Sequence, residues 1–414
     1  MSHKTPAPMS VPFEEDFHDD IVYPATVPFV LFHVACLGVF WTGVSAATLA
    51  GAAILYVVRM WAVTAGYHRY FSHRSYRTSR AFQFFLAFLG QTSGQRGVVW
   101  WAAIHRHHHL HSDTPEDIHS PRHMGFFHSH VGWIFRPRRF HADYETVSDL
   151  TRFPELMWLD RQPYLPVTLL GIAVFLVGGW QALFVSFVLG TVVLYHCVFF
   201  INSLAHVMGS QRYITGDDSR NNWWLAIITL GEGWHNNHHF YQSATAQGWR
   251  WYEIDISYYA LKALSWVGLV WDLRAPPEKV VQGAQPLGRK VIEKVAHQLA
   301  WSFPVDGIAA QVRDAWDDLP SLGEIRARLR AAVAERTAGQ GEDLVRRIRE
   351  ARVDLAQWLD SATRPHVPTV EDLRDRAREM FADTPSVDDI ARRAREILLH
   401  AVESRIIEEA LEGA

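Results

Sequence analysis

The segments His105-Arg-His-His-His109 and His235-Asn-Asn-His-His239 decide how the rest of this chain is interpreted. In an α-helix, positions i, i+3 and i+4 share one face. Both segments carry histidines at this spacing, so each can present three imidazoles to one point, while His107 faces away. Neutral imidazole is the commonest metal ligand among side chains. The two segments therefore predict a metal site.

Two further segments contribute histidines to this prediction. His68 and His73 are five positions apart, which is too far for one clean helical face, so we expect a helix end with some unwinding. His206 lies in the segment Asn202-Ser-Leu-Ala-His206. A lone histidine is usually a packed side chain, but this repetition makes chance improbable. One ion takes about four to six ligands, so the set indicates two metals. The predicted ligands are His68, His73, His105, His108, His109, His206, His235, His238 and His239.

The composition narrows the function classes. The chain has 414 residues and a formal net charge of −4, which does not favour a nucleic-acid partner. Its only cysteines are Cys36 and Cys197, so it can hold neither a four-cysteine iron–sulfur centre nor a disulfide framework. Residues 1–20 are polar and acidic, and no cleavable signal peptide is apparent there.

Two long stretches, Ile21–Val58 and Gln162–Gln211, contain no Asp, Glu, Lys or Arg. About 20 apolar residues cross the hydrocarbon core of a bilayer, so each stretch fits a hairpin of two spans. The hairpins are expected to turn near Gly43 and at Gly178-Gly179. The predicted spans are Tyr23–Val44, Ala46–Ala65, Pro163–Gly179 and Gln181–Ile201.

The distribution of arginine predicts the orientation. The two turns carry no Lys or Arg, whereas the segments at the other ends of the hairpins are rich in Arg. The positive-inside bias therefore places the turns outside and all the clustered histidines in the cytoplasm. His33 and His196 lie inside the predicted spans and are interpreted as packing residues. The aromatic-rich segment Ile254–Trp271 is expected to lie on the membrane as an amphipathic helix.

The chain divides by composition into three parts. A polar segment covers residues 1–20, a membrane domain residues 21–275, and a charged helical extension residues 276–414. Capping-box patterns predict helix starts at Ser321, Thr369 and Ser386 in the extension. The extension is either a solvated helical tail or a docking or membrane-surface element. The predicted fold is an all-α membrane protein whose four spans carry a cytoplasmic helical cap with the histidine site.

These motifs together resemble the integral-membrane fatty acyl desaturases of the stearoyl-CoA Δ9 type, over about residues 20–275. The resemblance implies a four-helix membrane domain and a cytoplasmic cap that binds two irons through the nine histidines. It also implies that Asn202 holds a metal-bound water and that a bent tunnel holds the acyl chain. The matching segments are Gly66-Tyr-His-Arg-Tyr-Phe-Ser-His73, His105-Arg-x-His-His109, Ser129-His-Val-Gly-Trp133, Asn202-Ser-x-x-His206 and Gly231-Glu-Gly-Trp-His-Asn-Asn-His-His239.

The chain departs from the family pattern at the head-group end. Animal acyl-CoA enzymes have an Arg-Asp pair before the second cluster, which helps to hold CoA, and Ala103 and Ile104 stand there in this chain. The segment His119–Gly125 is also one residue longer than its animal counterpart. An acyl chain on CoA, on a lipid or on a carrier protein therefore stays open as the substrate.

The chemistry of desaturation explains why the chain needs clustered metal-binding histidines. Removing two hydrogens from an unactivated CH₂–CH₂ needs an oxidant that no side chain supplies, and two redox-active irons with O₂ can supply it. Zinc also fits imidazole but does not change its redox state. Glu232, Asp113 and Asp117 are candidates for orienting the imidazoles, with ordinary surface acids as the alternative.

The leading hypothesis is an O₂-dependent acyl desaturase that forms a cis double bond, expected at Δ9. Its electrons are expected from a separate ferredoxin, rubredoxin or cytochrome b5, because the chain has neither a four-cysteine centre nor a His-Pro-Gly-Gly motif. A fatty acyl hydroxylase or related oxygenase on the same di-iron cap is a close alternative. A membrane metal transporter or a b-type cytochrome is a different class, and both would place their key groups inside the spans.

Overall fold

The structure is a computed structural model that describes most of the chain. The polar segment, the start of the first predicted span at Tyr23 and the predicted helix start at Ser321 lie outside the described residues. The described part is mostly helical, as predicted, and forms two compact units, one ending at Gly283 and the other beginning at Ala284. The described residues are 26–135, 142–317, 327, 367–381 and 384–412.

The first unit is built from helices of very different lengths. Its α-helices are α1 (Val27–Ala35), α2 (Gly38–Thr42), α3 (Ala46–Trp61), α4 (Arg80–Gln91), α5 (Val98–His111), α6 (Pro121–Met124), α7 (Phe126–His130), α8 (Ser148–Thr151), α9 (Pro154–Asp160), α10 (Leu165–Gln181), α11 (Gly190–Asn202), α12 (Trp223–Ile228), α13 (His235–Phe240), α14 (Ile256–Trp266) and α15 (Glu278–Val281). Two π-helices, Ala62–Ser72 and Ala182–Leu189, continue α3 and α10, and 3₁₀ turns occur at Gly132–Phe135, Tyr144–Val147 and Leu204–His206.

One short β ladder interrupts the otherwise helical fold. Strand β1 (Arg77–Thr78) pairs antiparallel with β2 (Val270–Trp271). The prediction of an amphipathic helix over Ile254–Trp271 is therefore correct only for its first part, because α14 ends at Trp266 and the chain then extends to pair with β1. Backbone groups at the end of this segment find partners in β1 rather than in a further helical turn.

Two helical segments are long and apolar enough to cross a membrane, as judged from the described residues: Ala46–Ser72 and Leu165–His206. The apolar segment Val27–Thr42 is shorter. The longer segment is interrupted at Gly179, which has a left-handed backbone with φ 63° and ψ −158°. Glycine adopts this conformation readily because it has no Cβ. Membrane association agrees with the predicted location.

The two glycine turns lie next to each other. Gly43, with φ 69°, ends α2, and Ser45 caps the start of α3. The Ser45 hydroxyl donates to the Gln181 side-chain oxygen over 3.0 Å, and the Gln181 amide donates to the Thr42 carbonyl over 3.1 Å. The two glycine turns therefore lie at the same end of the long helices.

Small and polar residues join the long helices. The Ser186 hydroxyl donates to the Thr48 carbonyl over 2.7 Å, at a place where Gly51 leaves room for it. Small residues of this kind allow close approach of helices in an apolar surrounding. Arg59 is 1% exposed and its guanidinium donates to Thr191, so this arginine pairs inside the protein rather than reaching out to solvent.

A hydrophobic core lies behind the histidines. It joins the first π-helix with α4, α5 and α9, and it supports the surface from which the clustered histidines project. Fully buried apolar side chains give each of these elements a fixed orientation. They include Tyr67, Phe71, Leu86, Val98, Val99, Leu156 and Leu159.

The second unit contains four described helices: α16 (Arg289–Ala300), α17 (Val305–Asp317), α18 (Val370–Met380) and α19 (Val387–Glu412). Thr369 and Asp372 form the predicted capping box at the start of α18. The helix predicted at Ser386 is α19. Buried Val295, Leu299 and Leu373 give this unit an apolar core of its own.

Candidate metal centre

His68 and His73 are brought together by a π-helix. Ala62–Ser72 is wound more widely than an α-helix, and the backbone N–H of His73 donates to the His68 carbonyl over 3.2 Å. Hydrogen bonds from i+5 to i place residues five apart on one side of the turn. The expected unwinding at a helix end is therefore confirmed, because the widened turn ends at Ser72 and puts the two rings 4.9 Å apart between centroids.

The other histidines come from three elements. His105, His108 and His109 share one face of α5, as the i, i+3, i+4 spacing predicts. Helix α13 is only six residues long and contributes the triplet that begins at His235. His206 comes from the 3₁₀ turn that follows α11. His107 faces away, with its ring nitrogen 3.2 Å from the Glu116 carbonyl oxygen.

All nine predicted ligands meet in two groups. Within each group, one nitrogen from each imidazole lies within 4.8 Å of the others. The first group is His68, His73, His105, His109 and His238, and the second is His108, His206, His235 and His239. His108 and His109 are neighbours on α5 but belong to different groups, so this helix borders both groups.

The arrangement fits metal ions. Two imidazole nitrogens bound to one ion at about 2.1 Å lie about 3 Å apart. The Nε2 atoms of His68 and His238 lie 2.9 Å apart, and those of His206 and His235 lie 3.1 Å apart. His239 Nε2 is buried and has no hydrogen-bond partner among the residues that the structure describes. Lone pairs that converge in this way are stabilised by a cation between them.

Four buried carboxylates hold the outer nitrogens of the rings. His206 Nδ1 lies 2.7 Å from Asp113, and His108 Nδ1 lies 3.1 Å from Asp117. His68 Nδ1 contacts Glu232 in the same way. A carboxylate at Nδ1 fixes the tautomer and directs the Nε2 lone pair to the metal. All three acids predicted to orient imidazoles therefore have histidine partners and are buried.

Asp217 is the fourth of these carboxylates, and sequence reasoning missed it. Its Oδ2 lies 2.8 Å from His239 Nδ1, and Oδ1 accepts from the hydroxyls of Thr215 and Ser219. The residue follows Gly216 in a Gly-Asp-Asp-Ser loop that reads as a surface turn. No spacing pattern in the sequence distinguishes it.

The electrostatics of the carboxylates favour a cation. Burial alone would raise the pKa of the Asp217 carboxyl, but the facing His239 imidazole and the Ser219 hydroxyl hold it well below its usual range. Burial also acts to raise the pKa of Glu232, and the neighbouring His68 and Arg69 lower it overall. Both carboxylates are therefore ionised at neutral pH, and their charge compensates a metal held by neutral imidazoles.

We expect Asp217→Asn to weaken metal binding by about 10- to 100-fold, because the amide can present an N–H to His239 and no longer fixes the required tautomer. Metal content after dialysis against graded chelator concentrations measures this. Asp218→Asn is the matched control, since its carboxylate pairs with Arg122 rather than with a histidine. Equal metal retention in both variants would contradict the role given to Asp217.

Three other histidines, His33, His196 and His130, contact one another in a row outside the two groups. His33 Nε2 and His196 Nε2 lie 3.0 Å apart, and His196 Nδ1 lies 2.9 Å from His130 Nε2. His130 Nδ1 is 3.1 Å from the Ser203 hydroxyl oxygen. His33 and His196 are thus packed side chains, as predicted, and their contacts with each other and with His130 link α1, α11 and α7, which their positions in the sequence did not indicate.

An apolar cavity of about 330 Å³ reaches the first histidine group. His105 and Asn202 line it at that end, and Asn202 also lines a smaller cavity beside His68 and His235. The Asn202 backbone carbonyl accepts from Ser129, and the predicted role of its side chain in holding a water stays a prediction. The other lining residues are Pro28, Phe29, Gly94, Gln95, Arg96, Trp100, Trp101, Ile104, His119, Trp133, Ile134, Tyr164, Tyr195, Val198 and Phe199.

Comparison with known proteins matches the chain to one protein family. The fatty acid desaturase family model matches residues 29–268. The chain is 36% identical over 227 residues to an sn-2 palmitoyl-lipid 9-desaturase of Nostoc sp., covering 53% of this chain and 79% of that protein. It is 33% identical over 261 residues to an sn-1 stearoyl-lipid 9-desaturase of Anabaena variabilis, covering 61% and 94%. It is 34% identical over 249 residues to an acyl-CoA 5-desaturase of Anemone leveillei, covering 59% and 77%.

Proposed function

Because this chain belongs to the fatty acid desaturase family, we propose that it forms a cis double bond, at Δ9, in a saturated acyl chain, with two irons and O₂. The observation that carries the proposal is the pair of convergent histidine groups at the end of an apolar cavity. The protein is an oxidoreductase of lipid metabolism that acts on fatty acyl substrates. The position of the double bond and the di-iron centre are the two points of the proposal that go beyond membership of the family.

The residues of the chain perform three tasks in this reaction. Aromatic side chains such as Trp101 and Phe199 bind the acyl chain and keep water away from it. The carboxylates behind His68, His108, His206 and His239 hold the imidazoles in one orientation. When bound, the two irons supply the redox chemistry with O₂ that no side chain provides.

The overall reaction consumes one O₂ and removes two hydrogens from the acyl chain. Two further electrons and two protons complete the reduction of O₂ to two waters. We propose that the electrons come from a separate ferredoxin, rubredoxin or cytochrome b5. Iron is preferred to zinc here because zinc does not change its oxidation state.

We also propose the four-span topology, with the spans near 23–44, 46–65, 163–179 and 181–201. The backbone break at Gly179 and the hydrogen bonds between Gln181 and the turn at Gly43 support it. Two hairpins that turn at the same end return the chain to the same side of the membrane. The arginine-rich segments would then make that side cytoplasmic, and with it the histidine groups. Residues 276–414 are proposed to be an extension apart from the catalytic domain.

Expression in a host that lacks its own desaturase tests the activity. We expect new monounsaturated acids, with the double bond at Δ9 located by mass spectrometry of dimethyl disulfide adducts of the methyl esters. The empty vector is the control. Saturated acids alone would contradict desaturation, and hydroxylated acids would indicate an oxygenase on the same scaffold.

A further inference from the structure

A second apolar cavity of about 500 Å³ lies between α1, α10 and the second π-helix. Phe32, Val167, Ile172 and Phe175 are among the residues that line it, and we call it the lateral groove. None of its described lining residues is Asp, Glu, Lys, Arg or His. A concave and uncharged site of this size fits an alkyl chain better than a polar ligand.

The lateral groove has a fixed floor and one open side. Phe187 is 5% exposed and forms the floor, with its ring 5.7 Å from that of Phe32 between centroids. Gly171 leaves room for this ring, since a Cβ there would lie 2.9 Å from it. Ile172 at the open side is 51% exposed. Because this side faces the bilayer in the proposed topology, an alkyl chain can enter the groove directly from lipid.

The lateral groove meets the cavity of about 330 Å³ that reaches the first histidine group, which we call the acyl cavity. Pro28 and Tyr164 line both. From this junction the acyl cavity leads to His105, whereas the groove leads along α10 to Trp180. In a glycerolipid the two acyl chains are attached to neighbouring carbons, so both begin at nearly the same point. Two apolar sites that diverge from one junction therefore match a donor with two acyl chains.

The length of the lateral groove matches one leaflet of a bilayer. From Tyr164 to Phe175 the groove follows α10 for eleven residues, or about 16 Å at 1.5 Å per residue. The hydrocarbon core is about 30 Å thick, so one leaflet contributes about 15 Å. The hydroxyl-bearing residues Tyr164 and Thr168 lie near the start of α10, where the proposed topology puts the membrane boundary. The ester end of a lipid is expected at this level.

Covalent linkage to the reacting chain lets a weak site of this kind become occupied. An alkyl chain gains little by moving from lipid into the groove, because lipid tails are as apolar as the groove itself. Once one chain of a glycerolipid occupies the acyl cavity, the glycerol holds the other at the junction, and its binding becomes intramolecular. A donor with a single chain, on CoA or on a carrier protein, leaves the groove to unlinked lipid.

We propose that the lateral groove binds the non-reacting acyl chain of a diacyl glycerolipid while the reacting chain lies in the acyl cavity. This inference rests on the proposed function and names the chemical class of the donor. The residues that line the groove bind the donor and are not catalytic, because they contact the chain that the reaction leaves unchanged.

Binding of two matched lipids to the purified full-length protein tests the proposal. Dipalmitoyl phosphatidylcholine and 1-palmitoyl lysophosphatidylcholine share a head group and differ only in the second chain, and native mass spectrometry from detergent gives a Kd for each. Ile172→Trp puts an indole into the groove and excludes a second chain by overpacking. We expect the Kd for the two-chain lipid to rise about 10-fold, while that for the one-chain lipid stays within about twofold. An unchanged ratio of the two Kd values overturns the proposal.

Two further variants keep the test decisive. Leu169→Trp adds the same indole at a position that is 46% exposed on the same helix and lines neither of the two cavities. Ile172→Ala leaves the groove open. Both are expected to keep the Kd ratio within about twofold of that of the unaltered protein, and a melting temperature for each variant separates loss of binding from loss of folding. A change after Leu169→Trp as large as after Ile172→Trp overturns the proposal.

Photoreactive lipids give a second readout, which locates the chains. Two forms of dipalmitoyl phosphatidylcholine carry a diazirine near the end of either the sn-1 or the sn-2 chain, and mass spectrometry identifies the peptides that each form modifies. One form is expected to modify α10 near Phe175, and the other the acyl cavity near Trp101. Modification by both forms of all lipid-facing helices alike indicates bilayer lipid only and overturns the proposal.

The proposed function can fail without deciding this inference. Absence of any unsaturated product from the unaltered protein would count against desaturation. The Kd ratio and the modified peptides would still decide whether the two cavities together bind one lipid with two chains.

Discussion

Replacing His108 by alanine is expected to lower desaturation by at least about 100-fold, because it removes one imidazole from the second histidine group and leaves the others without their full ligand set. His108 is 3% exposed, and its Nδ1 is held by Asp117, so the ring is fixed in one orientation that alanine cannot reproduce. Unsaturated product per cell and metal bound per purified protein measure the effect together. Both are expected to fall.

His107→Ala is the matched control for this variant. The residue is adjacent on α5, but its ring faces the Glu116 carbonyl and not the histidine groups. We expect its activity to stay within about twofold of the unaltered protein, as for surface substitutions in general. Equal losses in His107→Ala and His108→Ala would show that the helix tolerates no change there, and they would remove the support for a metal role of His108.

The second large effect is expected from Arg69→Met. Arg69 is 1% exposed, and its guanidinium donates to Glu232 over 3.0 Å, to Asp255 over 2.9 Å and to the Thr245 carbonyl. Removing one member of a buried charge network leaves uncompensated charges and costs about 3–5 kcal/mol. Denaturant unfolding in detergent is expected to report that loss. Because Glu232 also contacts His68, the metal content is expected to fall as well.

Arg80→Met provides the comparison. Arg80 forms a two-point contact with Glu155 at 2.7 and 2.8 Å, but its side chain is 64% exposed. Exposed pairs contribute up to about 1 kcal/mol because water and salt screen them. Both arginines contact carboxylates at similar distances, but only Arg69 is buried. Comparing the two variants therefore isolates the effect of burial on stability. A loss after Arg69→Met no larger than after Arg80→Met would contradict the account of the buried network.

The helical spacing of histidines was the strongest information in the sequence. Three imidazoles on one face of α5 follow from helix geometry alone, and the structure confirms that placement. The meeting of distant clusters does not follow from helix geometry, since it depends on how the chain returns between them. His206 and His235 are nonetheless in one group, with their Nε2 atoms 3.1 Å apart.

What could not be predicted depends on tertiary contacts. No local pattern distinguishes a π-helix from a frayed α-helix, so the sequence predicts unwinding between His68 and His73 but not its regular π-helical form. Asp217 has no periodic neighbours and is identified only by its contact with His239. The contact between His33 and His196 joins α1 to α11, and residues so far apart in the sequence give no joint signal.

The central claim is that the two histidine groups each hold a redox-active metal. Anomalous diffraction from crystals of the full-length protein, recorded on both sides of the iron absorption edge, tests it most directly. We predict two iron peaks, one among His68, His73, His105, His109 and His238, and the other among His108, His206, His235 and His239. A single peak, or peaks that do not respond to the iron edge, would contradict the account.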